Sequence, residues 1–384
     1  MGGINNGTSY QKRNGLWRYR VSWRDNDGVR HAKTKGGFRT KTEASAEATK
    51  LEADLVTGTD LGKRETTLVK YWHDWYTTYK LGKRAAITES FYVNIENTLA
   101  AFFQDTELGE VSPSLWQKFI NDYGATHARV TVTKVNGYVR AMVRTALNEQ
   151  TLHTDFTFGV ELTGDKSRVK SELDKYLQLD QFAKVNEVAF DRASFERLSS
   201  VAVYVGAQTG MRIAEVLGLT WDNVDEVNST ITVNKSWDGR ELCFKPTKTP
   251  SSNRTVEVLP KVITLLQKIH NQQAQWLMRT GLRNNKNCVF FSRMGQVLSG
   301  TACNKSLGKI ETAAGIPENE QITFHGLRHT HVSYLLSQGT DIYYISKRLG
   351  HSNVQITLTT YSHLLQSQRD AQASIALKAL SLLG

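Results

Sequence analysis

Apolar and polar positions change period repeatedly along this chain. In LWRYRVSW the alternation puts Trp17, Tyr19, Val21 and Trp23 on one face and Arg18 and Arg20 on the other, as in a half-buried strand. Asp25-Asn26-Asp27-Gly28 supplies a hairpin turn. Further strands are predicted through Val29 to Lys33 and Gly37 to Arg39, and Thr42 with Glu43 opens a helix to about Val56. After a polar connector the period becomes helical. Trp72, Trp75, Tyr76 and Tyr79 recur as a core face, and Val132, Val135, Val139, Met142, Val143 and Leu147 form a buried stripe. That stripe leaves Lys134, Arg140 and Arg144 on other faces; Arg140 and Arg144, at i,i+4, repel unless an anion sits between them. Further on, Thr209-Gly210 breaks one helix and Ile213, Val216 and Leu217 face the core from the next. Strands are predicted around Ile231 to Val233, Leu242 to Phe244 and Thr255 to Val258. Leu327, Val332, Leu335 and Leu336 give a helix stopping at Gly339, and Ile342, Ile345 and Leu349 a shorter one ending at Gly350. The expected fold is mainly α with small β-sheets, an α+β chain.

A length of 384 residues favours two or three domains. The formal charge of +11 points to an anionic partner. Its distribution sharpens this: Met1 to Lys41 holds ten Lys or Arg against Asp25 and Asp27, which is +8 of the total. A small three-stranded sheet backed by a helix, with arginines on its free face, suits a DNA groove. Cys243, Cys288 and Cys303 show no metal spacing, and their odd number argues for a reducing cytoplasm. No apolar run reaches transmembrane length and no signal peptide is expected, so the protein is read as cytoplasmic and free of the membrane.

The candidate chemistry lies in Thr323 to His363. His325 and Arg328 share a helical face at i,i+3, His351 follows Gly350, and Tyr361 stands ten residues later. A guanidinium that grips phosphate oxygens, two imidazoles and a phenol suit attack on a phosphodiester. Upstream, Arg212 has Glu215 at i,i+3 to orient it, and the polar turn PTKTPSSNR carries Lys248 at its tip. Other readings compete. Tyr361 alone suits packing, Asp341 to Tyr361 resembles a helix-turn-helix, and His325 with His329 has metal spacing but Gly326 where a zinc-protease helix needs Glu.

Taken in order, TGMRIAEVLGL, TKT with SNRTVEV, HGLRHTHVSYLL, LGHSN and TYSH resemble the tyrosine recombinases, specifically lambda-type integrases of phages and conjugative elements. The resemblance spans about residues 175 to 365 and implies that Arg212, Lys248, His325, Arg328, His351 and Tyr361 are catalytic, with Glu215 orienting Arg212. It implies cleavage through a 3′-phosphotyrosyl link without metal, nucleotide or other cofactor. Lys248 would then be the general acid, and His325 would help to take the tyrosine proton. Four segments follow: an arm-site DNA-binding module over 1–60 using Arg18, Arg20, Lys33 and Lys35; a helical core-binding domain over 66–165 using Lys134, Arg140 and Arg144; the catalytic domain over 175–365; and a tail over 366–384 that docks in cis or in trans. The implied partners are double-stranded DNA at core-type and arm-type sites, a homotetramer on that DNA, an excisionase-type directionality factor and a host DNA-bending protein. A type IB topoisomerase shares the chemistry. A helix-turn-helix regulator would bind DNA without covalent capture, and a metal-dependent transposase would need a carboxylate trio near these blocks.

Overall fold

The computed structural model describes residues 7–24, 30–56, 65–83, 86–168, 176–247, 249–367, 373, 377–378 and 380–382. They belong to two compact units, Met1–Val169 and Lys170–Gly384.

The first unit opens with an antiparallel sheet of β1 (Gly7–Arg13), β2 (Leu16–Arg24) and β3 (Arg30–Phe38), in that order. Three strands were expected, but their assignment changes. The first hairpin turns at Asn14-Gly15, where φ is +51° and +81°. Two consecutive positive φ values make the tight turn for which Asn-Gly is suited. It recruits Gly7–Arg13 as a strand and pairs Arg13 with Leu16. Val29 to Lys33 and Gly37 to Arg39 are not separate strands: Arg30–Phe38 is continuous, with a register shift opposite Trp17 and Arg18. The expected Asp25 to Gly28 turn lies outside the described residues. Helix α1 (Lys41–Val56) covers one face, burying Ala44, Ala48, Leu51 and Leu55 against Tyr19 and Val21.

Four longer helices follow: α2 (Leu68–Tyr79), α3 (Ala86–Phe103), α4 (Pro113–Gly124) and α5 (Arg129–Asn148). Thr67 and Ser112 cap α2 and α4 through their side-chain oxygens. Of the aromatic stripe, Trp72, Trp75 and Tyr76 are core, whereas Tyr79 is exposed. Trp72 and Trp116 are fully buried and satisfy their indole N–H groups on Tyr92 O at 3.0 Å and Asn136 Oδ1 at 2.9 Å.

The second unit is built on α7 (Leu198–Thr209), buried on nearly every side, with α6 (Leu179–Asp191) before it and α8 (Ile213–Leu217) after it. Five short strands follow: β4 (Val224–Asp225), β5 (Thr230–Val233), β6 (Lys235–Asp238), β7 (Cys243–Pro246) and β8 (Arg254–Glu257). The polar segment between β7 and β8 does not close a hairpin. β7 pairs with β6 whereas β8 pairs with β5, so the segment between β7 and β8 crosses from one sheet to another. Leu242 is not a strand residue; its φ of +51° puts it in the β6–β7 turn. Helices α9 (Pro260–Thr280), α10 (Gly300–Ala313), α11 (Phe324–Ser337), α12 (Ile342–Leu349) and α13 (Val354–Ser367) complete the unit. Gly206 lets α11 approach α7: a Cβ there would lie 2.4 Å from the Phe324 ring. Among the described residues no helix is long and apolar enough to cross a membrane.

Candidate active site

The break at Thr209-Gly210 is a helix end in the left-handed region, with Gly210 at φ +65° donating to Gly206 O at 2.9 Å. It turns the chain so that Arg212 stands at the N-cap of α8. Glu215 folds back on that turn, accepting the Arg212 backbone N–H at 2.9 Å through Oε2 and its Nη1 at 2.8 Å through Oε1. A second guanidinium, which the sequence reading passed over, completes the group. Arg254 Nη2 donates to Glu215 Oε2 at 3.0 Å, while its Nε reaches Arg348 O at 2.6 Å and its Nη1 Ser252 O at 2.9 Å. Burial works against charge on Glu215, yet Arg254 and then Arg212 outweigh it and hold the carboxyl below its ordinary range.

Arg328, 3% exposed, reaches between two helix ends. Its Nη1 donates to Gly210 O and its Nη2 to Leu349 O, each at 2.8 Å. Burial, reinforced by Arg212, pushes it down to about 9, so it remains a cation at neutral pH. Gly350, at φ +70°, ends α12 and passes the chain to His351, whose Nδ1 lies 2.7 Å from Thr357 Oγ1. Burial and the positive charge of Arg328 push His351 down to about 4, and the same two causes lower His325. Both imidazoles are therefore neutral at pH 7.

Tyr361 interrupts α13 with φ −116° and ψ 18°. Its side chain is buried with Val332, Leu336, Ile345 and Leu349, and burial pushes its phenol strongly up. The phenolic oxygen lies 2.7 Å from Nδ1 of His329, not in a hydrogen bond with His325. The site thus brings together Arg212, Glu215, His325, Arg328, His351 and Tyr361, and adds Arg254 and His329. Lys248 lies outside the described residues. Period-two alternation in β8 could have found Arg254, which shares the inward face with Val256; His329 was visible only as a helical neighbour of His325.

The proposed DNA-contacting residues separate. Arg18 and Arg20 lie on the sheet face opposite α1, where Arg18 Nε donates to Gln11 Oε1 at 2.9 Å. Lys33 and Lys35 pair with Val21 and Tyr19 and so point to the α1 side, tied to Glu65 at 2.7 Å and Glu47 at 3.0 Å. They therefore do not share the free face of Arg18 and Arg20, although all four were expected to contact DNA. Arg140 does not face Arg144 across an anion: it donates to Thr157 O at 2.9 Å and anchors the chain after α5, while Arg144 is exposed. Lys134 lies over the Phe91 ring at 4.2 Å.

A family model described as the phage integrase family matches residues 175–368. The chain belongs to the phage integrase family. Within it, this integrase-family chain is a tyrosine recombinase of the lambda-integrase type, and an arm DNA-binding domain model matches residues 8–55. It is 24% identical to the integrase of Staphylococcus phage L54a over 74% of this chain and 84% of that protein. It is equally 24% identical to a XerC-like tyrosine recombinase of Caldanaerobacter subterraneus, over 94% of this chain and 96% of that one. In fold it is similar to the Tn1549 transposon integrase in complex with transposon right end DNA, with TM-score 0.65 and 16% identity, covering 80% of this chain and all of that one. A lambda integrase tetramer bound to a Holliday junction gives TM-score 0.54 at 16% identity, over 90% and 95% of the two chains.

Proposed function

We propose that this enzyme is a site-specific DNA integrase in which Tyr361 attacks the scissile phosphate. The tyrosine oxygen bonds to phosphorus, the bond to the 5′-oxygen breaks, and a 3′-phosphotyrosyl link remains. A 5′-hydroxyl of the partner strand then attacks that link and releases the tyrosine. The carrying observation is the buried Tyr361 phenol within reach of the Arg328 charge, with Arg328 in turn subject to the charges of the Arg212–Glu215 pair. Charge grows on the non-bridging oxygens in the transition state, and guanidiniums already held in place stabilise it without reorganising. Arg212 and Arg328 take that role. Neutral His351, its ring held by the contact of Nδ1 with Thr357 Oγ1, and neutral His325 are further donors to the phosphate. Lys248 is the general acid for the departing 5′-oxygen.

Residues 1–60 form the arm-site module, 66–165 the core-binding domain and 175–365 the catalytic domain. The arm module reads DNA with the Arg18 and Arg20 face. Strand exchange proceeds in a tetramer on DNA, in a bacterial host's cytoplasm, helped by a directionality factor and a host bending protein; most of the tail 366–384 lies outside the described residues.

The test is covalent capture on a nicked core-site duplex in EDTA. Wild-type protein is expected to form a complex stable to denaturant, and Tyr361→Phe to bind DNA normally and form none. Capture by the Phe variant would remove Tyr361 as nucleophile. Dependence on added metal would favour a carboxylate-metal enzyme.

A further inference from the structure

The nucleophilic oxygen has a neighbour that the roles above do not use. Its partner is His329, one helical turn beyond His325 on α11, with Nδ1 at 2.7 Å from Tyr361 Oη. The two imidazoles are themselves in contact, edge to face at 4.9 Å between centroids. Because the phenol is buried and its ionisation opposed, little phenolate exists near neutrality. Attack therefore needs a base already touching the hydroxyl.

We propose that His329, rather than His325, takes the tyrosine proton, and that His325 serves the phosphate side. This deepens the reading of Tyr361 as nucleophile and rests on it. As the tyrosine oxygen bonds to phosphorus, its proton passes to His329 Nδ1, giving an imidazolium, while the general acid protonates the leaving 5′-oxygen. In the return step the attacking 5′-hydroxyl gives its proton to that acid's conjugate base. The released tyrosine oxygen recovers the proton from His329. Protons, bonds and charges balance over the cycle.

Geometry separates the two histidines. His325 stands beside Arg212 and Arg328, whose charges both act on it. His329 stands beside the tyrosine: its ring is 5.7 Å from the Tyr361 ring, and it also adds to the charge felt by His351. Among the described residues, the ionisable groups near it include His325 and Arg328 on α11, His351 before α13, and Tyr361 within α13. His325 is desolvated on its protein side but keeps an open side, as a donor to bound DNA must, whereas His329 is half-buried beside the phenol.

The experiment is single-turnover cleavage of a nicked core-site duplex between pH 5.5 and 9, with core-site binding measured in parallel. His329→Asn keeps an acceptor but cannot carry a proton through the step. It is expected to bind normally, to cleave roughly 10² to 10⁴ times more slowly, and to lose the acid limb of the rate profile. His329→Ala should recover cleavage on addition of imidazole. His325→Asn should slow cleavage but keep the acid limb. Cleavage by His329→Asn within about threefold of wild type, or loss of the acid limb in His325→Asn instead, would overturn the assignment. Should the His329 variants not fold, imidazole ¹⁵N spectra of otherwise wild-type protein decide: Tyr361→Phe must move one Nδ1 resonance, and an unchanged set refutes the contact. Capture by Tyr361→Phe would break the nucleophile reading itself, an outcome distinct from any of these.

Discussion

Arg254 and Glu215 form an ion pair at 3.0 Å with side chains only 6% and 4% exposed. The other oxygen of the same carboxylate holds Arg212, which is 34% exposed. One carboxylate is therefore divided between two cations, and the exposed one keeps positive charge to offer. Breaking a buried pair from one side leaves a charge without its partner. Arg254→Ala is expected to lower stability by about 3–5 kcal/mol in urea titration. Arg254→Lys should recover only part, since an ammonium cannot reproduce the fork that meets Glu215, Arg348 O and Ser252 O together. Wild-type stability in Arg254→Ala would show that the pair is not a support of the site.

Acid should weaken the fold through its buried imidazoles. The nitrogens of His331 lie against Ala207 O at 2.9 Å and Arg348 Nε at 3.2 Å, an arrangement that suits the neutral ring. Burial, with Arg348 adding to it, pushes His331 down to about 3, and His351 is at about 4. Folded values below the unfolded value mean that the unfolded chain binds more protons as pH falls. The stability they contribute is present above about 6.5 and lost progressively towards about 3. Urea midpoints should fall from pH 7 to pH 5, and His331→Gln should flatten that decline. An unchanged slope in the variant would locate the acid sensitivity elsewhere.

On arm-site DNA the two faces of the N-terminal sheet should behave differently. Arg20→Ala removes a cation from the open face, and the slope of log K against log salt should become shallower by about 0.9. Lys35→Ala breaks a tie to Glu47 on the covered face and should leave that slope unchanged. Equal slopes for both variants would dismiss the face assignment. Deletion of residues 1–64 should abolish arm-site footprints while core-site nicking persists.

If Lys248 protonates the leaving oxygen, its replacement by Ala should slow cleavage of ordinary DNA by roughly 10² to 10⁴. A substrate with sulfur at the 5′-bridging position should escape that penalty, because a thiolate leaves without a proton. Equal defects on both substrates would transfer the role to another residue.

What the sequence revealed depended on how far apart the interacting residues are. His325, Arg328, His351 and Tyr361 were legible because helix spacing and the stops at Gly339 and Gly350 are local properties. The Asn14-Gly15 turn was equally local, but the strand reading began at Leu16 and so missed Gly7–Arg13. Arg254 is different in kind. It meets Glu215 across 39 positions through a pairing of β5 with β8 that no local pattern specifies. Likewise the spacing of His325 and His329 says that they are neighbours, not which of them meets Tyr361 across 32 residues. Lys33 and Lys35 show that a charge count cannot tell the covered face of a sheet from the open one until strand register is known.

The way Arg328 is held bears on how this site tolerates mutation. Its two acceptors, Gly210 O and Leu349 O, are peptide carbonyls at helix ends, which no side-chain substitution deletes. Their dipoles favour a cation while bringing no formal negative charge to cancel it. Sequence drift can therefore unseat this guanidinium mainly by moving the backbone, and the vulnerable points are glycines. A Cβ at Gly210 would lie 2.8 Å from His331 Cδ2, and one at Gly350 3.0 Å from Ser252 Cα, each on a residue at positive φ. The heritable instruction for placing the charge is thus written largely in two residues that have no side chain.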